Sequence, residues 1–487
     1  MITVQLDREG FEYDIHSLVK AFYPETDVKV FLQGTKDLKS DETLPELVIL
    51  RDENRIEAQL WKGEERCLAA SVTEPICDHP DKARIKNQIK NIIYRMLLKE
   101  SGKQLPWGTL TGIRPTKIAM GLLEQGKSRE DILQYMRETY DVSQEKAVLS
   151  VDIAEREKRI LADIHYRDGY SLYIGIPFCP TTCLYCSFTS FPIALWRERV
   201  TEYLEALGRE MEAAADLMQG RILDSVYIGG GTPTTLSADE LEYLIQEVKK
   251  KFNFITVKEF TVEAGRADSI TEDKLRVLKK YGVTRISVNP QTMNDKTLKL
   301  IGRQHTVAQV EEAFRLARRC GFDNINMDLI LGLPGEDEED VRRTVEAVKA
   351  LQPDSLTVHS LAIKRASKLN QWIQENGIQT LHNTDETMRI AAEAAESMGL
   401  LPYYLYRQKN MSGNFENVGY AREGCYGIYN ILIMEEKQTI MALGAGTITK
   451  RVYPDGRIER CDNVKEVALY IEKIDEMIER KRRLCED

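Results

Sequence analysis

The sequence predicts an α/β protein built on a parallel sheet with crossover helices, and three observations carry that expectation. Six short β-rich runs alternate with six amphipathic helical stretches from Tyr170 to Gly399, the pattern of parallel strands joined by helices. Hydrophobic residues make up 43% of the 487 and charged residues 30%, a balance suited to globular domains with apolar cores. Every chemically distinctive motif in this region falls on the same predicted face, toward the carboxyl ends of the β-rich runs, where parallel α/β folds gather their functional groups.

Taken in order, ITVQL reads as a strand, YDIHSLVKAF as a helix, and LPELVIL and RIEAQLW as two further strands. From Asp81 the period changes: Ile85, Ile89, Ile92, Ile93, Met96 and Leu97 recur at helical spacing. Helical stretches KIAMGLLEQG, SREDILQYMRETY and SQEKAVLSVDIAEREKRIL follow, with the Gly- and Pro-marked loop PWGTLTGIRPTK, Pro106 to Lys117, before them. That loop is either a helix connection or a surface that packs on a domain or ligand. These segments form an N-terminal α+β and helical domain, residues 1–165.

The region 166–400 carries the beat. SLYIGI, DSVYIG, EFTVEA, TRISVN, INMDLILG and DSLTVHSLA are the strands, each followed by a helix. A six-stranded barrel, partial or closed, and a doubly wound open sheet both fit. Residues 401–487 form a smaller C-terminal α+β extension.

Function classes narrow on composition. A formal net charge of -10 argues against a general nucleic-acid binder, whose affinity comes from clustered Lys and Arg. No apolar run approaches the roughly 20 residues that cross a bilayer, and the opening MITVQLDREGFEYD lacks the basic and apolar regions of a secretory signal. A cytoplasmic location with no membrane span is expected. Nine cysteines, an odd number, then suggest reduced thiols rather than a disulfide framework.

The exception is CPTTCLYCSF, which places Cys179, Cys183 and Cys186 within eight residues. Cys-x3-Cys-x2-Cys suits an iron-sulfur cluster held at three corners, because soft thiolates match iron and a missing fourth ligand leaves one iron open. A structural zinc site is the competing reading, although it normally shows two paired ligand clusters. Gly229 to Pro233 (GGGTP) follow the second strand, Glu263 ends the third, and Asn289-Pro290-Gln291 end the fourth. Asp328 lies in the fifth, and His359 to Ala362 end the sixth. His305 and His359 read as packed or hydrogen-bonded side chains rather than metal ligands.

Together YIGIPFCPTTCLYCSF and GGGTP resemble the radical S-adenosylmethionine superfamily. More narrowly, the chain resembles the oxygen-independent coproporphyrinogen III oxidase (dehydrogenase) family, and TGIRPTK, GNFENVGYAREGCYGIYN and MALGAGTITK match its HemZ type. The resemblance covers Tyr170 to Lys450 and implies a partial (β/α)6 barrel. It implies that Cys179, Cys183 and Cys186 hold a [4Fe-4S] cluster whose open iron chelates the methionine group of S-adenosylmethionine. Tyr173, Tyr185, Gly230, Gly231, Thr232, Glu263, Gln291, Arg303 and Asp328 are the implied cofactor contacts, with Leu361 at the adenine. The implied chemistry is radical removal of hydrogen from propionates of coproporphyrinogen III, which become vinyls in haem biosynthesis. It needs an electron donor such as a flavodoxin or ferredoxin. Arg197, Arg266, Lys364 and Arg365, near loops of the active face, are candidates to hold the propionates.

Two positions depart from the family's best-defined dehydrogenases. Those read Tyr-x-His-x-Pro-Phe-Cys and end the motif Cys-x-Cys, whereas this chain has Gly175 and Cys186-Ser187-Phe188. The Cys-x-Phe ending is shared with the haem-chaperone branch, so a haem-binding chaperone of the same superfamily is the alternative expectation, with a zinc-stabilised interaction protein as another.

Overall fold

The computed structural model describes the chain except residues 25, 34–45, 64–66, 78–80, 113, 365–366, 408–414 and 487, and the side chain of residue 379. It forms two units, Met1–Glu155 with Tyr406–Glu416, and Arg156–Leu405 with Asn417–Asp487.

The first unit holds β1 (Ile2–Leu6), α1 (Glu12–Phe22), β2 (Val28–Leu32), β3 (Leu47–Arg51), β4 (Arg55–Lys62) and β5 (Cys67–Pro75). Next come α2 (Lys82–Ser101), α3 (Thr116–Glu124), α4 (Arg129–Tyr140) and most of α5 (Gln144–Ile160). Its five strands lie in the order β2-β1-β3-β4-β5 among the described residues. The helical period of α2 is spent on this sheet: Ile85, Ile89, Ile92, Ile93, Met96 and Leu97 join one core with Val4, Ile15, Ile49 and Ile56. In the Pro106–Lys117 loop, Trp107 is fully buried and donates to Glu416 Oε2 at 2.7 Å, while Lys146 Nζ lies 2.9 Å from Glu416 Oε1.

The second unit contains the strands β6 (Gly169–Ile176), β7 (Phe178–Cys179), β8 (Phe191–Pro192), β9 (Ile222–Gly230), β10 (Glu259–Gly265), β11 (Arg285–Val288), β12 (Ile325–Leu331) and β13 (Ser355–Ser360). Its crossovers use α6 (Val200–Leu217), α7 (Ala238–Lys251), α8 (Glu272–Lys280), α9 (Asp295–Leu300), α10 (Val307–Arg319), α11 (Glu338–Leu351), α12 (Leu369–Asn376) and α13 (Asp385–Ser397). After them come β14 (Leu401–Tyr406), β15 (Asn417–Ala421), α14 (Ile428–Glu435), β16 (Thr439–Leu443), β17 (Ile448–Val452), β18 (Ile458–Asp462), α15 (Val467–Glu472) and α16 (Ile474–Glu486).

Strands β6, β9, β10, β11, β12 and β13 pair in parallel and in chain order. A doubly wound sheet reverses its strand order at a switch point; this one does not, so it winds as a barrel. The barrel is partial because both outer strands carry other neighbours. Strand β13 pairs with antiparallel β15, and β6 with parallel β16. The segment 401–487 thus extends the core sheet at both edges: β14 and β15 on one side, β16, β17 and β18 on the other.

The barrel strands are buried on both faces, as the nearly unbroken burial of β9 and β12 illustrates, and they carry buried polar side chains among the apolar ones, Asp224, Thr261, Asn326 and Thr357 for example. Helices cover them with one apolar stripe each, Leu241, Leu244, Ile245 and Val248 in α7 for example. Capping boxes at Ser237, Thr306, Asp337 and Thr384 start α7, α10, α11 and α13 at defined residues. The βα loops are thereby kept at the carboxyl ends of the strands. Among the described residues no helix is long and apolar enough to cross a membrane.

Candidate active site at the carboxyl end of the barrel

The cysteine loop leaves β6 at Ile176 and is held from three sides. Gly231 N–H donates to Ile176 O at 2.8 Å and Thr232 N–H to Phe178 O at 2.7 Å. From the α9 end, Leu184 N–H donates to Ile301 O at 2.9 Å, and Thr181 Oγ1 to Gly302 O at 2.9 Å. Leu369 N–H caps Leu184 O at 3.0 Å. The loop is a fixed part of the barrel rim.

All three thiols are free, and Cys183 is 8% exposed. Burial raises Cys179 to about 11, opposed by the Thr232 hydroxyl 3.4 Å from its sulfur, and burial raises Cys186 as well. Without metal, Cys179 and Cys186 therefore keep their protons, and metal binding would release them. Among the described residues no three His, Cys, Asp or Glu side chains form a group suited to one metal ion.

Glycine is required behind this loop. A Cβ on Gly231 would meet Phe178 O at 2.6 Å and Cys179 Sγ at 3.0 Å, and Gly230 has a φ of +106°. Tyr185 stands on the same loop, its hydroxyl accepting from Arg303 Nη2 at 3.2 Å; Arg303 Nη1 donates to Asn289 O at 2.6 Å. Gln291, also at the end of β11, has a φ of +69°, unusual for a residue other than glycine. Its N–H bonds to Asp328 O and its carbonyl accepts from Ile330, each at 2.9 Å, tying β11 to β12. Asp328 accepts from Asn326 Nδ2 at 2.7 Å and lies 3.9 Å from His359 Nε2. Leu361 is 2% exposed and shares a small core with Ile330, Leu333, Leu369 and, at its margin, Tyr185.

Glu263 faces the same rim. Burial raises its carboxyl to about 7; the Tyr227 hydroxyl, which donates to Oε1, opposes the rise, and the Asp328 carboxylate adds to it. The folded state holds this proton, whereas an unfolded glutamate releases it near its ordinary 4.5. The group therefore contributes stability that is complete below that value and is lost as pH rises through about 7. Glu263→Gln is expected to make the protein about 1–3 kcal/mol more stable than its parent at pH 8. That gap should close in mildly acidic buffer, checked by paired urea melts across the range.

Sequence reasoning passed over two aromatic rings here. Tyr173, Tyr227 and Tyr429 stack as a trio with centroids 4.5–6.0 Å apart. Because β9 is buried on both faces, alternation could not say where Tyr227 points. Tyr429 comes from α14, in a segment read as an extension.

Gly175, the position of the dehydrogenase histidine, has no room for a side chain. A Cβ there would meet Thr447 Cγ2 at 2.6 Å, so the turn after β16 fills the space.

The four cations read as propionate ligands divide. Arg197 pairs with Glu240 and also donates to Thr235 O at 3.4 Å. Arg266 is 3% exposed and bonded to Asp268 and Thr181. Both have protein partners that the sequence could not display. Lys364 is partly buried, which lowers its pKa. Arg365 lies outside the described residues.

The model of the radical SAM superfamily matches residues 173–348. The chain is 40% identical over 408 residues to the oxygen-independent coproporphyrinogen-III oxidase-like protein HemZ of Bacillus subtilis, covering 83% of this chain and 81% of that one. It is 31% identical over 309 residues to the heme chaperone HemW of the same organism, covering 63% and 76%. Among solved structures, the coproporphyrinogen III oxidase HemN of Escherichia coli, a radical SAM enzyme, aligns with a TM-score of 0.51 at 23% identity, over 68% of this chain and 73% of that chain. That likeness is one of fold. The chain therefore belongs to the radical SAM superfamily and, within it, to the oxygen-independent coproporphyrinogen III oxidase family of the HemZ type, a membership that implies a [4Fe-4S] cluster and S-adenosylmethionine.

Proposed function

We propose that Cys179, Cys183 and Cys186 hold the cluster with one iron open, and that S-adenosylmethionine lies across the barrel rim. The protein would use them as a dehydrogenase that converts porphyrinogen propionates, those of coproporphyrinogen III first, to vinyls with loss of carbon dioxide. The observation that carries this reading is the cysteine loop seated against Gly231, where a single added carbon would strike Cys179 Sγ at 3.0 Å. The donor set fits the group: three soft thiols on one rigid loop, with a glycine wall that lets backbone approach a ligand.

When bound, the cluster and S-adenosylmethionine supply one-electron chemistry able to remove an unactivated hydrogen atom. The chain's own residues position and shield. Gly230, Gly231 and Thr232 border the methionine end, Arg303 fixes the ring of Tyr185, and Gln291, Asp328 and the protonated carboxyl of Glu263 offer hydrogen bonds to ribose and amine. Tyr173, with Tyr227 and Tyr429 stacked on it, walls the site against water. Lys364 and Arg365 remain the candidates for propionate, since Arg197 and Arg266 are engaged elsewhere. A flavodoxin or ferredoxin would deliver the electron.

Anoxically reconstituted protein given reductant, S-adenosylmethionine and coproporphyrinogen III is expected to yield 5'-deoxyadenosine and a vinyl product by mass spectrometry. Cofactor cleavage without any porphyrinogen product would remove the substrate assignment and leave the radical chemistry.

A second reading, haem carriage, is favoured by the Cys186-Ser187-Phe188 ending and by the likeness to heme chaperone HemW. Stable haem binding in an absorbance titration, together with no vinyl product, would select it.

A further inference from the structure

We infer that Arg266 is a charge clamp on the cluster rather than a substrate residue, and that with Asp268 it sets the cluster's reduction potential. The inference rests on the assignment of Cys183 as a cluster ligand. Arg266 follows β10 directly and is 3% exposed. Its fork is fully directed at the protein. Nε and Nη2 donate to the two carboxylate oxygens of Asp268 at 3.0 and 2.6 Å. Nη1 donates to Thr181 Oγ1 at 2.7 Å and Thr181 O at 3.1 Å, and it lies 3.9 Å from Cys183 Sγ, within reach of an N–H···S bond. His305, 3% exposed, lies behind, its Nδ1 3.4 Å from Asp268 Oδ1.

A guanidinium with every nitrogen so placed has no edge left for a propionate. What it does have is a buried positive charge beside a cluster sulfur. Reduction adds one electron to the cluster from a low-potential carrier, and a nearby cation with an N–H···S contact stabilises the more negative product. Asp268, bonded to the far side of the same fork, opposes that effect with a charge of the other sign. The pair thus pulls the potential in two directions, and each member can be removed separately.

A simple staple, in which Arg266 only pins the loop through Thr181, makes a different forecast. Loosening the loop from either residue would move both variants the same way or release the cluster from both. The experiment uses the full chain purified without oxygen, with iron and sulfide counted per chain, followed by a dithionite-poised titration monitored by electron paramagnetic resonance without S-adenosylmethionine. Arg266→Gln is expected to make reduction about tenfold less favourable, 59 mV more negative for one electron. Asp268→Asn is expected to shift the potential positive, and Arg266→Lys to fall between Arg266→Gln and the parent.

Shifts of the same sign in Arg266→Gln and Asp268→Asn, or reduction equilibria within twofold of the parent in both, would overturn the inference. So would loss of the cluster from both. If Arg266→Gln alone fails to hold a cluster, Asp268→Asn decides: a positive shift supports the inference, and no shift or a negative one overturns it. A parent protein without iron would instead refute the ligand assignment on which the inference rests.

Discussion

Gly231→Ala is expected to strip the protein of most of its cluster and to weaken S-adenosylmethionine binding at least tenfold. The added carbon has nowhere to go. Phe178 O at 2.6 Å, Cys179 Sγ at 3.0 Å and Ile176 O at 3.0 Å surround it, and two of the three are backbone atoms that cannot rotate away. The same backbone is fixed by the bonds from Gly231 and Thr232 to Ile176 and Phe178. Relief therefore requires the cysteine loop to shift as a body, and overpacking of this kind costs roughly 1–3 kcal/mol. Only a few tenths of an ångström at the thiols are needed to spoil a three-point attachment. The measurement is iron per chain after anoxic reconstitution, with calorimetric titration of S-adenosylmethionine on whatever cluster remains. Gly220→Ala makes the comparison: its glycine has a φ of +79° but open space around the missing carbon, so it should strain the backbone and leave iron content unchanged. Full iron content in Gly231→Ala would sink the claim that the glycine wall shapes the cluster loop.

The sequence was most legible where its signals were local and periodic. The six strands and the six helices read from it are all present, and the structure adds the short helices α9 and α12, because each predicted helix shows a single apolar stripe and each barrel strand a short β-rich run, whereas α9 and α12 are too short to show a full period. Motifs at strand ends were legible for the same reason: a parallel strand fixes which of its ends faces the rim. What could not be read is pairing across distance. β16 lies beside β6, with Leu443 opposite Ile174, yet some 270 residues separate them, and nothing in MALGAGT announces that neighbour. Charge partners were equally hidden. Arg197 and Arg266 look alike in sequence, and only the fold shows Glu240 beside one and Asp268, Thr181 and Cys183 around the other. Strands β2 and β5 were missed in the N-terminal domain. Both are sheet edges: β5 is partly to fully exposed along its length, and β2, VKVFL, is a five-residue run interrupted by Lys29 with only Val28 buried, so neither stands out as a core strand.

Lys481→Met is expected to destabilise the second unit by about 3–5 kcal/mol, because it removes one partner of a buried ion pair. Glu210 and Lys481 are 0% and 1% exposed, with 2.7 Å between Nζ and Oε1. The carboxylate also accepts from Asn463 Nδ2 at 2.7 Å, Tyr470 Oη at 2.6 Å and the Gly444 N–H at 2.8 Å. One side chain thereby joins α6 to α15, α16 and the turn after β16. That turn reaches the active face: a Cβ on Gly444 would meet Gly175 O at 2.5 Å, and one on Gly446 would meet Thr189, three residues past Cys186, at 3.1 Å. Removing the lysine leaves an unpaired carboxylate beneath the turn, so a lower urea midpoint should be accompanied by faster proteolysis near Thr189. The double variant Glu210→Leu with Lys481→Met should recover much of the lost stability, since it removes both charges rather than stranding one. A Lys481→Met midpoint equal to that of the parent would mean that the pair contributes no net stabilisation and that the turn is held by backbone packing alone.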